Sequence, residues 1–163
     1  MKEIRNYNEI KATETRAVEG YAVVFDSLSN DLGGFTEIIS RNALDGVIEK
    51  SDVFCLLNHD NSRGILARSN KGVGSLELSI DDKGLKYRFE APKTALGDEL
   101  LEGLRRGDIS ASSFAFTVDS DSWEKREDGS YLRTINSIKE LFDVSPVYQP
   151  AYTATSVDTR GLD

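Results

Sequence analysis

GDISASSFAF, residues 107–116, marks the point where this chain changes from one kind of element to another. Before it, Ala95, Leu96, Leu100, Leu101 and Leu104 recur at helical spacing and Gly107 supplies the stop, which reads as a helix over 94–106. Within it the period falls to two: Phe114, Phe116 and Val118 share one face of a strand over 109–118, and that face must be the core. Ser113 then points the other way between Ala111 and Ala115, while Ser110 and Ser112 point coreward. Small neighbours leave room for a bulky group to approach the Ser113 hydroxyl, which a nucleophile needs and a structural serine does not. The same serines are also readable as ordinary strand filler.

Working outward, residues 3–12 suit a frayed or edge strand, and 18–25 (VEGYAVVF) form a β-branched and aromatic strand that runs into turn formers at 26–34. FTEII at 35–39 makes a short strand. Ser40 then caps a short helix over 41–50, where Ala43, Leu44, Val47 and Ile48 fall at helical spacing. The apolar run 53–57 reads as a buried strand that delivers Asn58, His59 and Asp60 to its end. GVGSLELSID and GLKYRFEAP alternate on either side of Asp81-Asp82-Lys83-Gly84, a hairpin signal. Residues 119–130 read as a polar loop and 131–147 as one or two further strands. The sum is about seven strands and two helices, and the short connections imply mostly antiparallel pairing. The expected fold class is mainly β with helices (α+β), as a closed or nearly closed β-barrel with the helices packed outside. One domain is expected over 1–152, with a flexible tail at 153–163.

Composition narrows the function. A net charge of −8 disfavours a nucleic-acid binder held by phosphate contacts. One cysteine excludes an internal disulfide, and with one histidine no ordinary Cys/His zinc site can be assembled, so neither metal nor cofactor is expected. Cys55 lies in an apolar run and reads as a buried small hydrophobe. Gly72-Val73-Gly74 precedes a strand pattern and no helix, so it is no phosphate cradle. No apolar run approaches bilayer length, and nothing marks the chain for export.

His59 is the single imidazole of the chain and so the one candidate base for a serine hydrolase. A lone histidine is also commonly just hydrogen-bonded to a loop. The acid that would hold its ring is Glu140 or Asp143. With Phe142 and Val144 inward, Asp143 shares the Ser113 side with Ser145, which favours Asp143, and a bulge would reverse that choice. No Gly-x-Ser-x-Gly elbow surrounds Ser113.

These pieces, in order, resemble the prohead maturation proteases of tailed bacteriophages, relatives of the herpesvirus assemblin serine proteases. The matching stretches are GYAVVFDS, FTEIISRNAL, LLNHD, GLKYRFEAP, LRRGDIS, SFAF and LFDVSPVYQPAY, which together span nearly everything from Gly20 to Tyr152. The resemblance implies an assemblin-like barrel with the catalytic pair on its outer surface, His59 of the NHD motif as base and Ser113 of the SFGF-like motif as nucleophile. It implies an acid in place of the assemblins' second histidine, at the EVS position filled here by Asp143 instead of glutamate. Ala115 also stands where the family motif has glycine. The implied activity is a serine endopeptidase that cleaves the scaffolding segment of the major capsid protein, and itself, inside the immature prohead in the host cytoplasm, with a homodimer plausible. A catalytically inactive scaffold or capsid-binding module of the same fold, or a serine esterase, are the competing readings.

Overall fold

The computed structural model describes residues 2–7, 10–12 and 15–148; the tail read as flexible, 153–163, lies outside them. Its ten strands are β1 (Glu3–Tyr7), β2 (Ile10–Ala12), β3 (Ala17–Val24), β4 (Phe35–Ile39), β5 (Asp52–Cys55), β6 (Ala67–Asn70), β7 (Glu77–Ile80), β8 (Gly84–Glu90), β9 (Ile109–Lys125) and β10 (Tyr131–Tyr148). One α-helix, α1 (Ala95–Arg106), lies between β8 and β9. Thr94 caps it by accepting from the Gly97 amide, and Gly107, at φ 83°, ends it in the left-handed conformation that glycine adopts without a Cβ penalty.

The strands form two sheets, one ordered β1-β9-β10-β5-β6 with β4 also on β10, the other β2-β3-β8-β7. The first sheet is mixed, because β10 pairs antiparallel with β9 but parallel with both β4 and β5. Neither sheet closes on itself, so the expected closed or nearly closed, mostly antiparallel barrel of about seven strands is corrected to two open sheets. Alternation within a strand fixes which face is buried but not which strand lies alongside, and that is where the barrel expectation failed.

β10 is the spine of this arrangement. β9 runs along one edge of it, while β4 takes residues 131–135 and β5 takes 143–144 of the other edge. The segment between β4 and β5 bridges the gap and satisfies the β10 backbone: Ile138 N–H donates to the Ala43 carbonyl, and Leu141 N–H to the buried Ser51 hydroxyl. This segment is not the helix expected over 41–50. The amides of Ala43, Asp45, Val47, Lys50 and Ser51 each donate to the carbonyl three residues back, ending in a 3-10 turn at Ile48–Lys50, because Gly46 at φ 73° interrupts right-handed helical winding. Ser40 does not cap it; its hydroxyl donates to the Asn136 carbonyl.

The expected polar loop at 119–130 is also corrected. Strand β9 continues to Lys125, and a short turn around Gly129 leads into β10. The arm is polar because both of its faces meet solvent over much of its length, which erases the alternation that announces a strand.

The two sheets share one core, where Val18, Ala22, Leu85, Tyr87 and Phe89 of the smaller sheet meet Val53, Phe114, Phe116, Leu141 and Val144 of the larger. Phe114 and Phe116 stack with ring centroids 4.5 Å apart. The Tyr87 hydroxyl, whose acidity is suppressed by burial, meets Ser112 Oγ at 2.7 Å and ties the sheets together, which confirms Ser112 on the core side. Helix α1 closes one end with Leu96 and Leu100, and Gly103 lets it approach β9 so closely that a Cβ there would lie 2.4 Å from the Ile109 side chain.

A second buried cluster is ionic. Arg5 of β1 grips both carboxylate oxygens of Glu37 of β4 at 2.7 and 3.0 Å, and Arg133 of β10 bonds to Glu3, Glu37 and Asp121. Burial pushes the Glu3 carboxyl up, but hydrogen bonds and charge from Arg133 and Arg5 outweigh it and hold the group below its ordinary range. A carboxyl depressed in the folded state contributes stability that is fully present above its unfolded value, about 4.3, and lost as pH falls through the folded value. The urea midpoint is therefore expected to fall as pH is lowered from about 5 to about 3, and Glu3→Gln to flatten part of that slope.

Candidate active site

Strand β9 supplies Ser113 from its N-terminal part, with Asn6 of β1 opposite on one side and Ser145 of β10 on the other. Because Phe114 and Phe116 hold the core face, Ser113 is fixed on the face beyond it, with the fully buried Ala111 and Ala115 as neighbours. Although it faces away from the core, Ser113 is fully buried.

His59 arrives from β5. That strand ends at Cys55, whose carbonyl accepts from the Leu66 amide, and the chain then makes a 3-10 turn at Leu57–His59. Asn58 (φ 54°, ψ 37°) and His59 (φ 60°) both take the left-handed conformation inside that turn. Few residues other than glycine adopt this region, and asparagine and histidine are among those enriched in it. The outcome is a ring laid over β9, with Nε2 2.7 Å from Ser113 Oγ.

Asp143 completes the chain of hydrogen bonds. Its Oδ1 lies 2.7 Å from His59 Nδ1. The register of β10 against β9 runs from Leu141 opposite Phe116 to Asp143 opposite Ala115, so Phe142 is an extra, bulged residue. The bulge allows Leu141 and Val144, three positions apart, both to face the core, and it turns Asp143 and Ser145 together onto the Ser113 side. Phe142 is not the inward residue that the sequence suggests; its ring lies beneath the Lys2 ammonium at 4.5 Å. Glu140, the alternative acid, is exposed and sits across from Thr117 on the other side of the bulge. The three sequence candidates His59, Ser113 and Asp143 are thus brought together, and Glu140 is not.

With Nδ1 protonated and donating to Asp143, Nε2 is left to accept the Ser113 proton, the tautomer that a general base requires. Side-chain exposures of 15% for His59 and 11% for Asp143 place the pair in a partly dehydrated setting where charge acts strongly. Cys55 lies behind it, fully buried, and burial together with the Asp143 charge pushes its thiol well up. It therefore stays protonated and is no competing nucleophile. No group of side chains suited to hold a metal ion occurs among the described residues. The sequence did not single out Ser145 as a partner of the acid: its hydroxyl, buried, donates to Asp143 Oδ1 at 3.0 Å. The one available signal was its shared parity with Asp143 and Ser113.

Comparison with curated proteins finds no match. Among solved structures the chain is similar to the capsid assembly protease of bacteriophage T4, at 11% sequence identity and a TM-score of 0.52 over 91% of this chain and 99% of that one. That likeness bears on the fold. The model of the caudovirus prohead serine protease family matches residues 3–163, nearly the full sequence, in agreement with the ordered motifs. On that match, the chain belongs to the caudovirus prohead serine proteases.

Proposed function

We propose that Ser113, His59 and Asp143 are nucleophile, general base and orienting acid of an endopeptidase that removes the scaffolding segment of the major capsid protein, and cleaves itself, within the prohead. The observation that carries this is the unbroken relay from Asp143 Oδ1 through the imidazole to Ser113 Oγ, with 2.7 Å at both links. Membership in a serine protease family supports peptide bonds as the substrate class.

His59 takes the hydroxyl proton as Ser113 Oγ bonds to the scissile carbonyl carbon, and the imidazolium so formed is held by Asp143. The tetrahedral intermediate collapses as His59 returns that proton to the leaving amine. Water then hydrolyses the acyl-enzyme by the same proton transfers in reverse. Since Ser113 has no exposed surface, the groups lying over it must shift when substrate enters. Asp143 is one methylene shorter than a glutamate, and the bulge at Phe142 supports the reading because it brings the shorter carboxylate within reach of Nδ1.

Co-expression with the cognate capsid protein tests the reading. The expected result is a shortened capsid protein with the wild-type chain and a full-length one with Ser113→Ala. Intact capsid protein in both would leave a binding module without chemistry. Turnover of an activated ester without capsid cleavage would leave an esterase.

A further inference from the structure

Ser145 occupies a position where a hydroxyl is costly unless it is bonded. It is fully buried in β10 and stands directly across from Ser113 in the β9–β10 register. Its Oγ donates at 3.0 Å to Asp143 Oδ1, the same oxygen that His59 Nδ1 meets at 2.7 Å. One carboxylate oxygen therefore answers two donors, one of which takes part in the proposed proton relay while the other is fixed by the sheet. We propose that Ser145 is a positioning residue of the active site: it locks the Asp143 carboxylate in the orientation that serves His59 and withdraws part of the charge from the shared oxygen. This rests on the catalytic reading of the relay given above.

The bulge makes such a lock necessary. Phe142 interrupts the regular pairing immediately before Asp143, so the backbone there is not held by an even ladder, and a side chain two residues on, back in register, supplies the missing restraint. The groups that face the carboxylate are His59 from the turn after β5, Ser145 from β10 itself and the Cys55 thiol from β5, which stays neutral. Removing the Ser145 hydroxyl leaves more charge on Oδ1 and a looser carboxylate. The first effect raises the affinity of His59 for its proton; the second slows proton transfer.

Diisopropyl fluorophosphate reads both effects without any knowledge of the natural substrate. Ser113 Oγ bonds to phosphorus, fluoride leaves with the bonding pair, and the hydroxyl proton passes to His59. The inactivation rate constant is measured against pH for wild type, Ser145→Ala, Ser145→Thr and Ser113→Ala, with the adduct located by mass spectrometry. Ser145→Ala is expected to slow inactivation at neutral pH on the order of tenfold and to move the acidic limb of the profile upward, with Ser145→Thr restoring both. A Ser145→Ala rate and profile that coincide with wild type overturn the proposal. So does a slower rate with an unmoved limb that threonine does not restore, the mark of a merely structural serine. Labelling of Ser113→Ala at the wild-type rate is a different failure: it places the nucleophile elsewhere and overturns the catalytic reading itself.

Discussion

His59→Ala is expected to lower the rate of acyl-enzyme formation on the order of 10⁶-fold and Asp143→Ala on the order of 10⁴-fold, while Glu140→Ala stays within about twofold of wild type. The ranking follows from the geometry. His59 is the single imidazole in the chain and lies 2.7 Å from Ser113, the proposed nucleophile, so on that reading no other imidazole can replace it as base. In the proposed mechanism Asp143 acts through the ring: without it His59 loses the bond at Nδ1 that selects the reactive tautomer and holds its plane. Glu140 is exposed on the far side of the Phe142 bulge, and its removal leaves that bond untouched. Single-turnover measurements on the four chains would decide the matter. A loss at Glu140→Ala comparable with that at Asp143→Ala would mean that the bulge rearranges in the working enzyme.

Glu37→Ala is expected to destabilise the fold by about 3–5 kcal/mol in urea denaturation, the cost of leaving a buried charge without its partner. Arg5 is 5% exposed and grips Glu37 through two hydrogen bonds, and Arg133, also buried, reaches the same carboxylate. The bond between Arg5 and Glu3 softens the loss without replacing the bidentate grip. The double change Arg5→Met with Glu37→Leu is expected to recover most of the stability, because Arg133 keeps Glu3 and Asp121 and no orphaned charge remains. A double variant as unstable as Glu37→Ala would show that the ion pair itself, and not the orphaned guanidinium, sets the cost.

How much of this was legible depends on whether a residue announces its environment locally. Ser113 was, because the aromatic residues at 114 and 116 declare their face and the parity of the strand does the rest. His59 was, by being unique. Asp143 was placed on the right side for an incomplete reason: the reading took Phe142 as inward, whereas Leu141 and Val144 are inward and the bulge makes up the difference. Glu37 was missed although it shares parity with Ile39 on a buried face of β4, a charge at an apolar position that signals a buried partner. The arm at 119–125 was missed because two solvated faces leave no alternation to see. The mixed, open sheet was not legible at all. Which strands meet is decided by contacts between residues such as Phe35 and Tyr131, far apart in the chain, and alternation carries no information about them.

The placement of β10 at the centre of its sheet has a temporal side. The pairings of Phe54 with Asp143 and of Ser113 with Ser145 both wait on residues 131–148. A nascent chain that has emerged only as far as α1 already carries His59, but neither the strand that bears Ser113 nor the one that supplies its acid. Long-range pairings of this kind close late and slowly in folding. On the proposed catalytic reading, the three residues therefore come together only after residues 131–148 have paired.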